Sequence, residues 1–530
     1  MTDGLRQSMS SLHTWGGLLV GWILYFIFLT GTLGYFDTEI DRWMRPELPL
    51  RSSAISAEET VERGLIRLND VAPAAERWRV ELAHRGNDTG AHISWRTGRA
   101  RDGAPGVFGY EPLEEAGTAA RRTGGGQLLY QMHYRLHYLD ENDAAWIVGF
   151  CAMSMLVTIL SGVICHKRIF RDFFTFRPRK GARSWLDAHN VLGVLALPFH
   201  IMITYSGLVF FMFMYMPYVL DEVYRLDETS QLRFFDNAYP SEPEYPRRSG
   251  AQAPLAPIEP ILLASAAHGG QLVAVAIHNP GDATARIVVT RAPNTVRSAP
   301  QRLTYDGVTG EPIEAPGAAP AAQSAYDALI GLHEGLFAGP FLRWLYFVSG
   351  LMGSGMIATG LVLWTVKRGS RQTSGSCVHA VGRLNAVTII GLPIGIAAYF
   401  WANRLLPVDF EHRATWEAHT LFGSWAFTLI HAVMRPVKRA WIELPAVASA
   451  LFFLLPLINA LTTDRHLGVT LPHDGLPGDW ALAGFDLTAL AVGLIFGATA
   501  WYLRVRQGHA LSETESASLP VMRPRVKVLR

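Results

Sequence analysis

Charge is scarce in this sequence. Asp, Glu, Lys and Arg make up 17% of its 530 residues, while 49% are hydrophobic. Soluble domains run near a quarter charged, so the deficit points to lipid as the surrounding solvent. A net charge of +2 gives no argument for a nucleic-acid partner, and none is expected. Cysteine is also rare. Cys151 and Cys165 lie inside an apolar run and Cys377 lies in a basic loop, which excludes a disulfide framework and a CxxC zinc site. A cleavable signal peptide is not expected. The first apolar run, Leu18 to Phe36, is too long for a signal core and no small-residue cleavage site follows it, so it reads as a permanent anchor. There is no GxGxxG opening a helix after a strand, no phosphate-binding P-loop and no HExxH. No nucleotide site is therefore visible, and any reductant must come from elsewhere.

What is present in quantity is long apolar runs. A bilayer span needs about 20 mainly apolar residues. Runs near 13–36, 145–165, 190–215, 341–365, 382–402, 417–434, 442–461 and 481–503 predict about eight transmembrane helices. Cationic stretches follow every even run: Lys167-Arg168 through Arg183, then Lys367-Arg368 with Arg371, then Arg435 to Arg439, then Arg504, Arg506 and the tail Arg523 to Arg530. The positive-inside rule makes those loops and both termini cytoplasmic.

Two long outer segments remain, 38–143 and 216–340. The first offers an amphipathic helix from Ser56, with serine as its N-cap and acids in its first turn, and strands around Trp78 and Ala91. The second offers strands at Gln271, Ala285 and Arg302, the last running into a tight turn. Both read as small α+β units, with a linker at 315–322. The predicted fold is mainly α. It is a polytopic membrane protein with a duplicated four-helix core and two small α+β periplasmic insertions. Its parts are 1–37 (first span), 38–143 (first periplasmic domain), 144–215 (second and third spans), 216–340 (second periplasmic domain), 341–370 (fourth span), 371–510 (four additional spans) and 511–530 (cytoplasmic tail).

The duplication is read from superposed residues. With His13 over His189 and no gap, Gly17 falls on Gly193, Thr30-Gly31 on Ser206-Gly207 and Tyr35 on Phe211. With His137 over His333 and a short gap, Leu160-Ser161-Gly162 meets Ala358-Thr359-Gly360, and Lys167-Arg168 meets Lys367-Arg368. Helix, outer domain, helix is thus used twice in one orientation, which implies a pseudo-two-fold axis along the membrane normal.

Several stretches carry a family resemblance: Leu12-His-Thr-Trp-Gly-Gly-Leu; Arg171-Asp-Phe-Phe-Thr-Phe-Arg-Pro-Arg-Lys-Gly with Ser184-Trp-Leu-Asp-Ala-His-Asn-Val-Leu-Gly; Pro198-Phe-His-Ile-Met-Ile-Thr-Tyr-Ser-Gly; Leu332-His-Glu-Gly-Leu-Phe; and the strand-turn Leu303-Thr-Tyr-Asp-Gly-Val-Thr-Gly. Over roughly residues 5–370 the chain resembles the PepSY-associated transmembrane helix proteins, which include iron-regulated membrane proteins and haem-containing siderophore reductases. The strand-turn is similar to the end of a PepSY module. The resemblance implies a haem-dependent ferric or siderophore reductase activity and does not reach residues 380–510.

Haem b in a helical bundle is held by two neutral imidazoles on facing helices. His13, His166 and His189 sit at the cytoplasmic edge, His133, His137 and His333 near the outer edge, and His200 near mid-bilayer. His189 and His200 are eleven residues apart, about three turns and about 16 Å on one face of a straight helix. His13 and His189 are repeat mates, as are His137 and His333. The expected cofactor-binding set is His13, His189, His200, His137, His333 and His166. Axial ligands to iron are sought among His13, His189, His200 and His333, for an expected two b haems. Each helix-end histidine has an ordinary reading as a wet interfacial residue. His200 lies deep among apolar residues, where an ionisable group marks a site. His133 reads as a bystander, and His412, His419 and His431 as structural.

The leading reading is a multi-pass protein of a bacterial inner membrane that passes electrons from an unidentified donor to a ferric siderophore or other Fe(III) chelate. A non-enzymatic PepSY binding or regulatory protein is the alternative. A transporter is the third reading, weakened by the lack of acidic residues in mid-span.

Overall fold

The computed structural model describes residues 3–48, 50, 55–82, 91–97, 107–113, 120–166, 175–215, 218, 221–222, 245–292, 295–296, 300–313, 321–369, 375–472 and 478–518. The expected linker up to residue 320, Lys167-Arg168, Arg371 and the tail Arg523 to Arg530 lie outside them. The chain packs as two compact units. One comprises Met1–Val366 with Pro472–Ala481, and the other comprises Lys367–Leu471 with Leu482–Arg530.

In the first unit, α1 (Asp3–Leu33) runs through a 3-10 turn at Gly34–Phe36 into α2 (Asp37–Met44). Then come α3 (Ala57–Val71), α4 (Gly125–Arg135), α5 (Glu141–Cys165), α6 (Ala182–Leu195), α7 (Leu197–Phe210), α8 (Ile258–Ala266), α9 (Ala321–Glu334) and α10 (Pro340–Gly369). The strands are β1 (Arg77–Glu81), β2 (His92–Thr97), β3 (Val107–Pro112), β4 (Leu272–His278), β5 (Arg286–Arg291), β6 (Gln301–Asp306) and β7 (Pro312–Ile313). The second unit holds α11 (Ser376–Ala386), a π-helical turn at Val387–Gly391, α12 (Leu392–Leu405), α13 (Arg413–Met434) and α14 (Val437–Thr462). The last helix, α15 (Trp480–Ser518), starts in the first unit and continues in the second.

Among the described residues, six helices are long and apolar enough to cross a membrane: Gly4–Met44, Glu141–Cys165, Pro340–Gly369, Ser376–Leu405, Val437–Thr462 and Trp480–Gln507. The chain is therefore a polytopic membrane protein. A seventh crossing is obtained if α6 and α7, bent by 67° at their junction, count as one span. The run at 417–434 is helical but is not among the six; it begins at Arg413 and carries Glu417, His419 and His431.

The bend alters the spacing argument for His189 and His200. Pro198 lies in the first turn of α7 and the chain breaks at Ala196. Proline has no amide to continue the α6 ladder and its ring crowds the carbonyl four residues back. His189 on α6 and His200 on α7 thus belong to two differently directed helices, not to one face of a straight one.

The two outer segments also depart from expectation. Their strands form one seven-stranded sheet in the order β3-β2-β1-β4-β5-β6-β7. β1 pairs antiparallel with β4, with Arg79 opposite Ala276 and Val80 opposite Val275. Three strands alone would leave the β1 edge unpaired, and joining β4 satisfies those backbone groups. One face packs α3 and α8 against Val80, Ile93, Val275, Ile277, Ile287 and Val289, all essentially solvent-free. Burying each such side chain contributes about 1.5–3 kcal/mol. Ser56 caps α3 as its position suggested, accepting from the Glu59 amide at 3.1 Å. Strand β3 carried no clear sequence signal.

Polar contacts join α2 to α4 and to α10. Arg343 on α10 donates to Glu39 of α2 and to the Tyr35 carbonyl. Asp37 accepts from the Gln127 side chain at 2.6 Å, and Asp41 from the Gly126 amide at 3.2 Å. These contacts set α4 against α2.

Candidate functional site

His13 projects from the first half of α1 and His189 from the middle of α6. Their ring centroids are 6.0 Å apart with planes inclined at 70°. The His13 Nδ1 donates to the Thr158 carbonyl of α5 at 2.8 Å, and the His189 Nδ1 donates to the Met356 carbonyl of α10 at 2.8 Å. The assignment follows from the acceptor: a carbonyl offers no proton, so Nδ1 carries it and Nε2 keeps the lone pair. Four residues after each carbonyl stands a glycine. A Cβ at Gly162 would come 3.1 Å from His13 Cε1, and one at Gly360 would come 3.2 Å from His189 Cε1. The two histidines thus have matching surroundings, each against a carbonyl and a glycine of a neighbouring helix.

A second pair stands on two other helices, backed by the far end of α1 and by α7. His133, near the end of α4, and His333, near the end of α9, have centroids 6.5 Å apart and planes only 21° from parallel. Gly31 backs the His133 ring at 3.5 Å from a Cβ position, and Gly207 backs His333 at 3.1 Å. Thr30-Gly31 and Ser206-Gly207 are the residues superposed in the sequence repeat. The His333 Nδ1 lies 3.0 Å from Ser206 Oγ, and the His133 Nδ1 bonds the Tyr130 carbonyl. Burial drives the His133 imidazole down to about pKa 4 and His333 to about 3, the latter helped by its neighbour His133. Both are neutral at physiological pH, the form that binds metal.

Both rings face a cavity of about 430 Å³ whose walls include Phe28, Tyr35, Tyr130, Phe199, Phe210 and Thr204. That volume falls within the range of cofactor sites, and so does the mix of apolar walls with few polar groups.

The remaining expected residues are placed differently. His200 is completely buried between Phe28 and Phe199, beside Gly353 of α10. Its ring lies near the Gly193 and Ser349 carbonyls, but neither nitrogen makes a hydrogen bond of proper geometry. His200 lies between the levels of the two pairs: Gly353 comes seven residues before Gly360 and three after the cavity-lining Gly350. His137 falls beyond the end of α4 with φ +58° and its ring against Tyr138. The structure brings His133 to His333 in its place. The signal for this was ambiguous. The sequence superposed His137 on His333, but α4 ends at Arg135, so His137 falls beyond it and His133, one turn earlier, meets His333. His166 accepts from the Asn190 side chain at 3.1 Å, beside His189, and among the described residues no contact brings it into either pair.

The family described as the PepSY-associated TM region matches residues 10–367, which contain all four paired histidines. The chain belongs to this family. It is also similar to an uncharacterized Pseudomonas aeruginosa protein, PA4219, with 25% identity over 384 residues, covering 67% of this chain and 89% of that one.

Within this PepSY-associated membrane protein, the residues present fit haem better than a bare ion. Among the described residues no group of three or more His, Cys, Asp or Glu could hold a metal, whereas haem iron asks the protein for only two axial ligands. Two imidazoles sharing one metal through bonds of about 2.0–2.1 Å would put their centroids roughly 6 Å apart, and the observed 6.0 and 6.5 Å match. A ligand histidine normally donates its other ring N–H to a carbonyl or similar acceptor, and all four do so or face such an acceptor.

Proposed function

We propose that this protein is a bacterial inner-membrane di-haem b oxidoreductase that carries electrons outward across the bilayer to a periplasmic ferric siderophore or other Fe(III) chelate. The observation that supports this reading most is the pair of histidine pairs in a duplicated four-helix core, with matching hydrogen bonds at the inner pair and glycine-made space at both. His13 with His189 would hold the inner haem and His133 with His333 the outer one. Bound haem would supply one-electron chemistry that no side chain here can offer.

The rest of the work belongs to the chain. The Thr158 and Met356 carbonyls hold the inner imidazoles in the ligating tautomer. Gly162, Gly360, Gly31 and Gly207 keep Cβ atoms away from the rings. Phe28, Phe199 and Phe210 exclude water from the outer cavity, which favours a stable low-dielectric centre. From His13 to Gly31 is eighteen residues of α1, about 27 Å, most of a hydrocarbon core of about 30 Å. His200, Phe28 and Phe199 fill the level between the pairs. Reduction of a ferric chelate weakens its hold on iron, and the joined sheet domain on the periplasmic side would receive that chelate.

The basic turns after the even runs favour cytoplasmic termini. The experiment is a visible spectrum of the purified protein with the variants His13→Ala, His189→Ala, His133→Ala and His333→Ala. The first two should lose one low-spin haem and the last two the other. Loss of both haems together in every variant, with the protein still folded, would favour a single centre.

A further inference from the structure

The outer pair is not symmetric in its hydrogen bonds, and the asymmetry lies at Ser206. This residue is completely buried on α7. Its Oγ lies 2.6 Å from the Met202 carbonyl of the preceding turn. A carbonyl only accepts, so the hydroxyl proton goes there. The serine oxygen is then left with its lone pairs towards His333 Nδ1, 3.0 Å away, and the imidazole must be the donor. His333 is thereby held with its proton on Nδ1 and its lone pair on Nε2.

The other half of the repeat differs at its histidine. Thr30, the repeat mate of Ser206, likewise turns its hydroxyl back to the carbonyl one turn earlier, that of Phe26, at 2.7 Å. Its histidine, His133, bonds a carbonyl of its own helix, that of Tyr130. The same pair of positions thus supplies a hydroxyl to the histidine in one half and not in the other. At the inner pair both histidines donate to carbonyls of neighbouring helices. His333 is the one ligand candidate of the four whose Nδ1 bonds a side chain, with the Ile203 carbonyl also beside its ring, and so the one with a partner that can be altered by substitution without moving a backbone.

We propose that Ser206 is a positioning residue that fixes the tautomer and orientation of His333 and, through the basicity of that imidazole, holds down the redox potential of the outer centre. A donor hydrogen bond from the distal ring nitrogen makes a ligating imidazole more electron-rich and favours the oxidised metal. Removing the acceptor therefore raises the potential. This inference rests on the functional reading above.

The test is a spectroelectrochemical titration of the full-length haem-loaded protein. Ser206→Ala should shift the outer centre to higher potential, or loosen its haem, and leave the inner centre unmoved. Ser206→Thr, which keeps the hydroxyl, should restore the wild-type value. Thr365→Val removes a hydroxyl of α10 that returns to the Val362 carbonyl at 2.7 Å and should leave the outer potential unchanged. A Ser206→Ala protein that titrates as wild type overturns the proposal, as does an equal shift in Thr365→Val. A wild-type protein with no haem at the outer pair overturns instead the functional reading beneath it.

Discussion

Gly162 and Gly360 offer a way to perturb the inner pair without touching a histidine. A methyl at 360 would stand 3.2 Å from His189 Cε1 and 3.3 Å from Nδ1; a methyl at 162 would stand 3.1 and 3.3 Å from the same atoms of His13. Ordinary contact begins at 3.4 Å, so each ring must give by a few tenths of an ångström. That movement loosens the 2.8 Å bonds to Met356 and Thr158. A neutral hydrogen bond contributes about 0.5–1.5 kcal/mol, or about 2- to 13-fold in an equilibrium. Loss of such an outer partner costs a metal site about 10–100-fold in affinity. Gly360→Ala and Gly162→Ala are each expected to weaken haem retention at the inner pair by about tenfold, by similar amounts because their geometry is shared. Gly17→Ala on α1 meets nothing within 4 Å and serves as control. Haem titration into stripped protein, followed in the visible spectrum, reads the affinity. Wild-type retention in both variants, or equal loss in Gly17→Ala, would refute the reasoning.

Other outcomes follow from the same structure. His137→Ala should keep both haems, whereas His133→Ala should lose the outer one, as a haem count per chain will show. Cysteines at Arg79 and Ala276, opposite each other on β1 and β4, should cross-link on oxidation and be found as one linked peptide by mass spectrometry; no link would mean the two outer segments do not share a sheet. Glu81 is held down to about pKa 2 from 4.5, first by the His92 hydrogen bond and then by Arg79 against the effect of burial. Its folded value is depressed, so its contribution to stability is present above about pH 4.5 and lost as pH falls towards 2; the difference in pepsin susceptibility between wild type and Glu81→Gln should shrink across that window. Glu417, completely buried with Arg413 and Asn403, should cost about 3–5 kcal/mol when replaced by Ala because Arg413 is left uncompensated, seen as a lower thermal midpoint in detergent.

Much of the membrane architecture was legible because hydropathy reports it directly. The runs at 145–165, 341–365, 382–402, 442–461 and 481–503 all became long helices. The pairing of His13 with His189 was also legible, since a gapless repeat fixes equivalent positions. What escaped was information carried by chain direction and by long-range pairing. The consequence of Pro198 for the line from His189 to His200 depends on a bend angle that residue spacing cannot express. His133 was passed over because the end of α4 is set by packing, and one helical turn separates it from His137. The shared sheet was hidden because β1 and β4 pair across about two hundred residues. The buried set Asn403, Arg404, Arg413, Glu417, Asn459 and Asp486 was missed because its members sit at the ends of four apolar runs and look solvated one at a time. Hydrogen bonds such as Asn459 to Asp486 and Arg404 to Asn459 join them only in the folded bundle. They also revise the view that acids are lacking inside the helices.

The central claim, two haems on two histidine pairs, is tested most directly by a redox titration of the purified full-length protein, expressed with haem supplied and followed in the b-type Soret region. Two one-electron transitions are expected, one absent from His189→Ala and the other absent from His333→Ala. A folded wild-type protein with no haem absorbance would contradict the claim.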